Sequence, residues 1–266
     1  MDLKKLLTAI LFLLLFLPAY SQRMAIMGAM DQEISILVEA LDKPKVTAIG
    51  GIDFYTGQLK EKKVVILKAG IGKVNAAYST AVLTQNFNLE GLIFTGVAGG
   101  LHPEALPGDI VIGTAMVQVD FGLLDSEGFT PWNFKDLSGE PYSELLLNAD
   151  SSLIQLSLQA SKLAEYQLIS NRKPRIFQGI ISTSDLFVSD PVKADWLYSE
   201  FNSLATEMEG AAVAHVCRLL GLPFVVIRSC SDNANTDAHI NFNEFVGPAA
   251  ANSANLVLRM VELMPH

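Results

Sequence analysis

Short apolar runs alternate with segments of helical spacing along most of the chain, and this alternation constrains the fold more than any other feature. Runs typical of buried strands lie at residues 24–29, 64–67, 92–95, 109–119, 176–182, 204–208 and 224–229. Helical spacing marks residues 31–41, 73–86, 150–165, 210–220 and 244–263. Such alternation predicts a largely parallel sheet covered by helices on both faces. A predicted hairpin around Gly50 and Gly51 makes this sheet mixed.

The chain carries no internal repeat, low-complexity tract or linker-like stretch, so we predict that residues 22–266 form a single α/β domain. The least organised region is 122–150, which is rich in Gly, Pro, Ser and Asp and contains Trp132. A loop of this length in a compact domain is usually functional or disordered.

Charge and cysteine content exclude several classes of function. The chain has 19 Lys and Arg against 28 Asp and Glu, a formal charge of −9. This balance argues against binding a nucleic-acid polymer, but it allows a small neutral nucleoside. Two cysteines, Cys217 and Cys230, cannot form a disulfide framework, and we interpret both as structural. No Cys or His spacing predicts a metal site, and no cofactor is predicted.

The first 21 residues have the pattern of a secretory signal peptide. Lys4 and Lys5 precede an apolar run at 6–17, and the small residues Ala19 and Ser21 follow it. We predict cleavage after Ser21 and an exported protein, either periplasmic or secreted. The alternative is a retained membrane anchor, although the run is short for a span of about 20 residues.

Polar residues follow several of the predicted strands, where parallel α/β sheets bind their ligands. The segments concerned are 30–33, 95–100, 207–209 and 231–232. Each has a structural alternative, because an acid in a first helical turn complements the helix dipole and glycines permit tight turns. No phosphate-binding loop, dinucleotide fingerprint or serine-hydrolase elbow is present. Together, the segments predict acid–base chemistry on a polar, neutral ligand.

Eight ordered motifs give the chain a close resemblance to a known family. They are GAMDQE (28–33), YTG (55–57), GIGKV (70–74), TGVAGG (95–100), GDIV (108–111), SDLFV (184–188), EMEGAAVAHV (207–216) and RSCSD (228–232). In these motifs the chain resembles the 5′-methylthioadenosine/S-adenosylhomocysteine nucleosidases of the nucleoside phosphorylase superfamily. The resemblance covers nearly all of residues 24–264.

The resemblance implies a three-layer α/β/α sandwich around a mixed, mostly parallel, partly barrel-like sheet, assembled as a homodimer. It also implies hydrolysis of the N-glycosidic bond of methylthioadenosine and S-adenosylhomocysteine, which serves purine and methionine salvage. Glu33 would activate water, Asp232 would protonate adenine N7, and Glu209 would hold the ribose hydroxyls. Further substrate-binding residues implied by motif position are Met30, Ile71, Val97, Phe187, Val188, Glu207, Met208, Ser231 and Phe242.

Hydrolysis is favoured over phosphorolysis, because no Arg follows the acidic segment at 31–33 to bind phosphate. The nearest basic candidate for a phosphate site is Arg228, and the alternative is that Arg228 has a structural role. Two positions depart from the family pattern: Val97 replaces a hydroxyl residue and Val119 stands where a His is common. Other hypotheses are an exported purine nucleosidase or phosphorylase of different specificity, and a non-catalytic binding or storage protein that keeps the fold.

Overall fold

The computed structural model describes residues 22–265, and the predicted signal peptide therefore lies outside the described residues. Within them, twelve strands form: β1 (Arg23–Gly28), β2 (Asp42–Ile49), β3 (Ile52–Leu59), β4 (Lys62–Lys68), β5 (Leu89–Gly100), β6 (Ile110–Gln118), β7 (Gly122–Asp125), β8 (Gly128–Pro131), β9 (Leu147–Asn148), β10 (Ile176–Thr183), β11 (Ser203–Glu207) and β12 (Phe224–Asp232). The same residues form six helices: α1 (Asp31–Glu39), α2 (Lys73–Asn86), α3 (Ser151–Ser161), α4 (Pro191–Phe201), α5 (Gly210–Leu220) and α6 (Ala238–Leu263).

Ten of the strands form one mixed sheet, in the order β11-β10-β6-β12-β5-β1-β4-β3-β2, with β9 paired to β6. Parallel pairing joins β4 to β1, β1 to β5, β5 to β12, β6 to β10, and β10 to β11. An additional antiparallel pairing between β11 and β5 closes β5, β12, β6, β10 and β11 into a small barrel. The predicted mixed, partly barrel-like sheet is confirmed.

Helices cover both faces of the sheet, and strand alternation explains why. In β1, Ala25 and Met27 belong to the core on one face, and Met24 and Ile26 to the core on the other. The first core includes apolar residues of α2 and α5, and the second includes those of α1, α3 and α6. The three-layer α/β/α arrangement is therefore confirmed.

Two element boundaries differ from the prediction by five or more residues. The glycine-rich segment after Thr95 was expected to be a turn, but β5 continues through Gly100. Within this strand, the side chains of Arg228 and Asp232 occupy the space beside Gly96 and Gly99 that a Cβ atom would otherwise fill. The glycines are therefore explained by close side-chain packing and not by a turn. Helix α6 begins at Ala238, six residues before the predicted start, because its first turns pack against the pocket described below.

The region expected to be least organised has modest structure of its own. Residues 122–150 contain the β7–β8 hairpin and the short strand β9, and Trp132 packs edge-on against Phe121. Leu124 and Leu137 of this region are exposed. Within residues 22–265, no helix combines the length and apolar character needed to span a membrane.

Candidate active site

A pocket lies beyond the carboxyl ends of β1, β10, β11 and β12, next to the last residues of β5. This is where ligands bind in open α/β sheets. The structure brings together all twelve residues expected from the sequence: Met30, Glu33, Ile71, Val97, Phe187, Val188, Glu207, Met208, Glu209, Ser231, Asp232 and Phe242. Five further lining residues are Ala29, Ala98, Gly99, Leu186 and Thr206.

Glu33 is fixed at the pocket by backbone amides of two elements. Its Oε2 accepts hydrogen bonds from the N–H groups of Ala29 (2.6 Å) and Met30 (2.9 Å), just before α1. Its Oε1 accepts one from Val97 N (2.9 Å) on β5. Burial raises the pKa of Glu33, although Arg228 and these three amides work to lower it. A carboxylate held this rigidly, with a raised pKa, is suited to act as a base.

Glu207 is the last residue of β11 and Glu209 follows two residues later, and the two side chains differ in how many hydrogen bonds their oxygens accept. Glu207 accepts from the hydroxyl of Thr183, from the N–H groups of Glu209 and Gly210, and from Arg228. Glu209 accepts from Gly72 N at 2.7 Å. Burial and the charge of Glu207 raise the pKa of Glu209 to about 8. Glu207 therefore holds protein groups in place, and Glu209 is the more available for a ligand.

Arg228 is the functional residue whose place the sequence left open. It is fully buried, its Nη2 donates to Glu207 Oε2 at 2.6 Å, and Glu209 Oε2 lies 3.7 Å away. Its guanidinium also stacks over the Phe94 ring at 4.2 Å. Burial works to lower the pKa of Arg228, but the charges of Glu207, Glu33 and Glu209 more than offset it, so the pKa is raised. Arg228 is thus the positive charge that balances the acidic cluster.

Gly96 makes this arrangement possible. Gly96 pairs with Arg228 in the β5–β12 ladder, and a Cβ at this position would collide with Arg228 Nη1 and Glu33 Oε1. We expect Gly96→Ala to displace both groups, to lower the free energy of unfolding by about 1–3 kcal/mol and to abolish most activity. Gly247→Ala, where a Cβ meets nothing within 4 Å, serves as the control: it should retain activity and raise the free energy of unfolding by up to about 1 kcal/mol, because alanine favours the helix.

Normal activity and unchanged urea unfolding in the Gly96→Ala protein would contradict the claim that Gly96 makes room for Arg228 and Glu33. Both variants add a single methyl group, so the comparison isolates the position of that group rather than its chemistry.

Asp232 is the last residue of β12 and lines the same pocket as the three glutamates. Its Oδ1 accepts from Ala234 N at 2.8 Å and its Oδ2 from the Ser231 hydroxyl at 2.9 Å. Burial raises the pKa of Asp232, and these two hydrogen bonds oppose the rise. The carboxyl group thus retains a proton to higher pH than an ordinary aspartate, as a general acid requires.

Apolar side chains form much of the remaining wall. Met30, Val97 and Phe242 belong to one apolar cluster beside Glu33, and Phe187 meets Phe242 edge-on with ring centroids 5.7 Å apart. Val97, which brings no hydroxyl to the site, supplies its backbone N–H to Glu33 and its side chain to this cluster. Apolar side chains therefore border the polar groups and shape the pocket around them.

The buried carboxyl groups should make stability fall as pH rises from about 6 to 8. A raised pKa means that the folded state binds more protons than the unfolded state between the ordinary value of 4.5 and about 8 for Glu209. Unfolding releases these protons, so stability falls across that interval by at most about 1.4 kcal/mol per pH unit for each group and levels off above the folded-state pKa. Urea unfolding of the wild type should show this loss, and Glu209→Gln should flatten it.

Glu200→Gln is the control for this experiment, because Glu200 is an exposed glutamate on α4. It should keep the wild-type slope. A wild-type stability that increases across the same pH interval would contradict the assignment of raised pKa values to the pocket.

The two cysteines do not line this pocket. Cys217 and Cys230 are free and buried, and burial raises the pKa of both thiols. Among residues 22–265, no cluster of three or more His, Cys, Asp or Glu side chains is arranged to hold a metal ion.

Comparison with known proteins places these features in context. Residues 23–262 match the family model of the phosphorylase superfamily. The 5′-methylthioadenosine/S-adenosylhomocysteine nucleosidase of Bacillus pumilus is 39% identical over 241 residues, which is 90% of this chain and 98% of that protein. The solved structure of the Neisseria meningitidis enzyme of the same name, in complex with methylthio-immucillin-A, has a TM-score of 0.80 and 34% identity over 92% of this chain and all of that one. The futalosine hydrolase of Helicobacter pylori gives a TM-score of 0.77 and 30% identity, over 91% and 98% of the two chains.

Proposed function

The chain belongs to the 5′-methylthioadenosine/S-adenosylhomocysteine nucleosidase family of the phosphorylase superfamily, and from this premise we propose that it hydrolyses the N-glycosidic bond of both nucleosides. The products are adenine and a 5-thioribose. The observation that carries this proposal is the convergence of Glu33, Glu209 and Asp232 in one pocket.

The three carboxyl groups divide the reaction between them. Glu33 takes a proton from water as the oxygen of that water bonds to C1′ of the ribose. The bond between C1′ and N9 breaks, its electrons pass to the base, and Asp232 delivers a proton to N7. Cleavage places positive charge on the sugar, which the carboxylates near it stabilise. The raised pKa of Asp232 supports its role as proton donor, and the fixed position of Glu33 supports its role as base.

The rest of the pocket binds the two ends of the substrate. We assign the ribose hydroxyls to Glu209, and the adenine to Phe187 and the main chain of Val188. Met30, Met208, Ile71 and Phe242 would line the sugar and its 5′ substituent. Apolar side chains at this end suit a thioether better than a hydroxyl group, because a buried hydroxyl without a hydrogen bond is costly.

Water is favoured over phosphate as the nucleophile. In the part of the chain that the structure describes, the pocket-lining residues include no Lys or Arg. Arg228 lies beneath the pocket and is engaged by Glu207 and Glu209. An oxyanion would therefore enter an acidic pocket without the bidentate donors that phosphate sites normally supply.

A substrate panel tests the proposal. Methylthioadenosine, S-adenosylhomocysteine, adenosine, inosine and futalosine are incubated with the enzyme, with and without phosphate, and base release is measured. We expect fast adenine release from the two thionucleosides, unchanged by phosphate. A requirement for phosphate would establish a phosphorylase, and preference for futalosine would follow its Helicobacter pylori relative. Absence of base release from every nucleoside would instead support the binding or storage hypothesis.

Export and assembly are further parts of the proposal. The basic residues and apolar run of the first 21 residues support cleavage after Ser21, which the mass of the protein recovered from its host would test. Exposed Ile71, Val74 and Tyr78, around the start of α2, support a homodimer. Light scattering should then give twice the protomer mass. Salvage of purine and methionine precursors is the role that this activity would serve.

A further inference from the structure

Three charged residues beside the pocket form a closed ring of hydrogen bonds. Lys73, the first residue of α2, donates from Nζ to Asp120 Oδ1 at 2.6 Å. Asp120 Oδ2 accepts from Asp185 N at 3.1 Å, and Asp185 Oδ1 accepts from Lys73 N at 2.8 Å. Each residue thus contacts both others, although the three come from separate parts of the chain. The Lys73 and Asp120 side chains are only 19% and 26% exposed.

The ring joins two loops that carry pocket residues. Gly72, directly before Lys73, donates its backbone N–H to Glu209 Oε1 at 2.7 Å. Asp185 is followed directly by 186–188, which line the pocket on the side assigned to the base. The ring therefore lies between the residue assigned to the ribose and the segment assigned to the adenine.

We propose that Lys73, Asp120 and Asp185 are positioning residues, which clamp these two loops so that the ribose-binding carboxylate and the adenine-binding segment keep a fixed spacing. This inference rests on the proposed function for the roles of Glu209 and 186–188. Substrate binding depends on such spacing, because a nucleoside presents its base and its ribose hydroxyls at a set separation.

The charges around the ring explain why Asp120 is its central member. Its carboxylate meets the Lys73 ammonium on one side and the Asp185 backbone on the other. Lys193 also lies close enough for its pKa to be held up by Asp120, although burial lowers it overall. Lys73 Nζ has Gln118 Oε1 as a second, weaker acceptor at 3.4 Å. Removing the charge of Asp120 therefore weakens the hydrogen bonds that it accepts from Lys73 and from Asp185.

The clamp also affects the ionisation of Glu209. Glu207, Arg228 and Glu33 face this carboxyl group, together with Gly72 N. Burial and Glu207 raise the pKa of Glu209, while Arg228 and the Gly72 hydrogen bond lower it. A looser Gly72 would leave the pKa higher still, so the acid limb of kcat/KM should move to higher pH.

The test compares Asp120→Asn with Glu90→Gln. The Lys62–Glu90 pair is a matched control: its N–O distance is 2.9 Å, its side chains are 13% and 28% exposed, and it lies at the amino end of β4, away from the pocket. We expect Asp120→Asn to raise KM for methylthioadenosine about tenfold with a smaller effect on kcat, and to shift the acid limb. Lys73→Arg, which keeps the charge, should retain most of the wild-type KM. Glu90→Gln should alter neither KM nor the pH profile.

Hydrogen–deuterium exchange measures the clamp without any turnover. Asp120→Asn should speed exchange in residues 70–73 and 185–188 together, whereas Glu90→Gln should speed it in neither segment. An active Asp120→Asn enzyme with wild-type KM, pH profile and exchange would overturn the clamp alone. An inactive wild-type protein would overturn the proposed function, while the exchange measurement would still decide whether the two loops are joined.

A double variant shows whether the clamp acts through Glu209. In a Glu209→Gln background, Asp120→Asn should raise KM by much less than tenfold, because the carboxylate that Gly72 positions is already gone. If the double variant instead shows a KM increase equal to the product of the two single increases, the clamp does not act through Glu209.

Discussion

Replacing Asp232 with Asn should lower kcat for methylthioadenosine by about 10²- to 10⁴-fold while leaving the fold intact. The amide is close to the carboxyl group in size: its oxygen can still accept from Ala234 N, and its NH2 group can donate to the Ser231 hydroxyl oxygen in place of the bond that Asp232 accepts. It cannot deliver a proton to the departing base, so the negative charge that develops on adenine stays uncompensated. Base release in single-turnover experiments isolates this step from product release.

Binding and stability supply the controls for this variant. Asp232→Asn should bind intact methylthioadenosine with nearly wild-type affinity in equilibrium measurements, because the ribose and apolar contacts are unchanged. Asp237→Asn makes the same chemical change at an exposed position five residues away and should retain full activity. A near-normal turnover by Asp232→Asn would remove Asp232 from the mechanism and would leave Ser231 or bound water as the proton source.

The position of the carboxyl groups could be predicted from the sequence for a simple geometric reason. Parallel strands end at one edge of a sheet, so polar residues that follow separate strands converge there. Glu33, Glu209 and Asp232 each follow a different strand, and all three line one pocket. Local pattern is sufficient for such residues, since each sits immediately after an apolar run that identifies its strand.

Arg228 could not be placed in the same way. It lies within an apolar strand, and its position in the site depends on its pairing with Gly96 of β5. The pairing register of two strands that are distant in sequence could not be predicted from either segment alone. The sequence therefore did not show that the absent Cβ of Gly96 makes room for the guanidinium group of Arg228. The one available signal was a charged residue inside a buried strand, where an unpaired charge is too costly.

The early start of α6 escaped prediction for a related reason. The helical spacing used to place it begins at Glu244, whereas the turns from Ala238 onward contain several polar residues. Phe242 of this part packs into the small apolar cluster at the pocket rather than into the main core. Tertiary contact therefore extends a helix whose own sequence gives little sign of it.

Replacing Arg228 with Met should be the most destabilising single change at the site. Glu207 would remain buried with its ionic partner removed, and breaking a buried pair in this way costs about 3–5 kcal/mol. Arg228 also lowers the pKa of both Glu33 and Glu209, so both would become harder to ionise. Urea unfolding at pH 7 should therefore show a large loss of stability, and part of that loss should be recovered at pH 5.5, where the carboxyl groups accept protons.

A second substitution separates the cost of the unpaired charge from the loss of packing. Glu207→Gln in the Arg228→Met background removes the orphaned carboxylate but keeps acceptors for the N–H groups of Glu209 and Gly210. Stability at pH 7 should then rise above that of Arg228→Met alone, because replacing both members of a buried pair costs less than removing one. If the double variant is instead the less stable, Arg228 contributes mainly through its stacking on Phe94. In either case turnover should stay low, since Glu33 loses the positive charge that favours its ionised form.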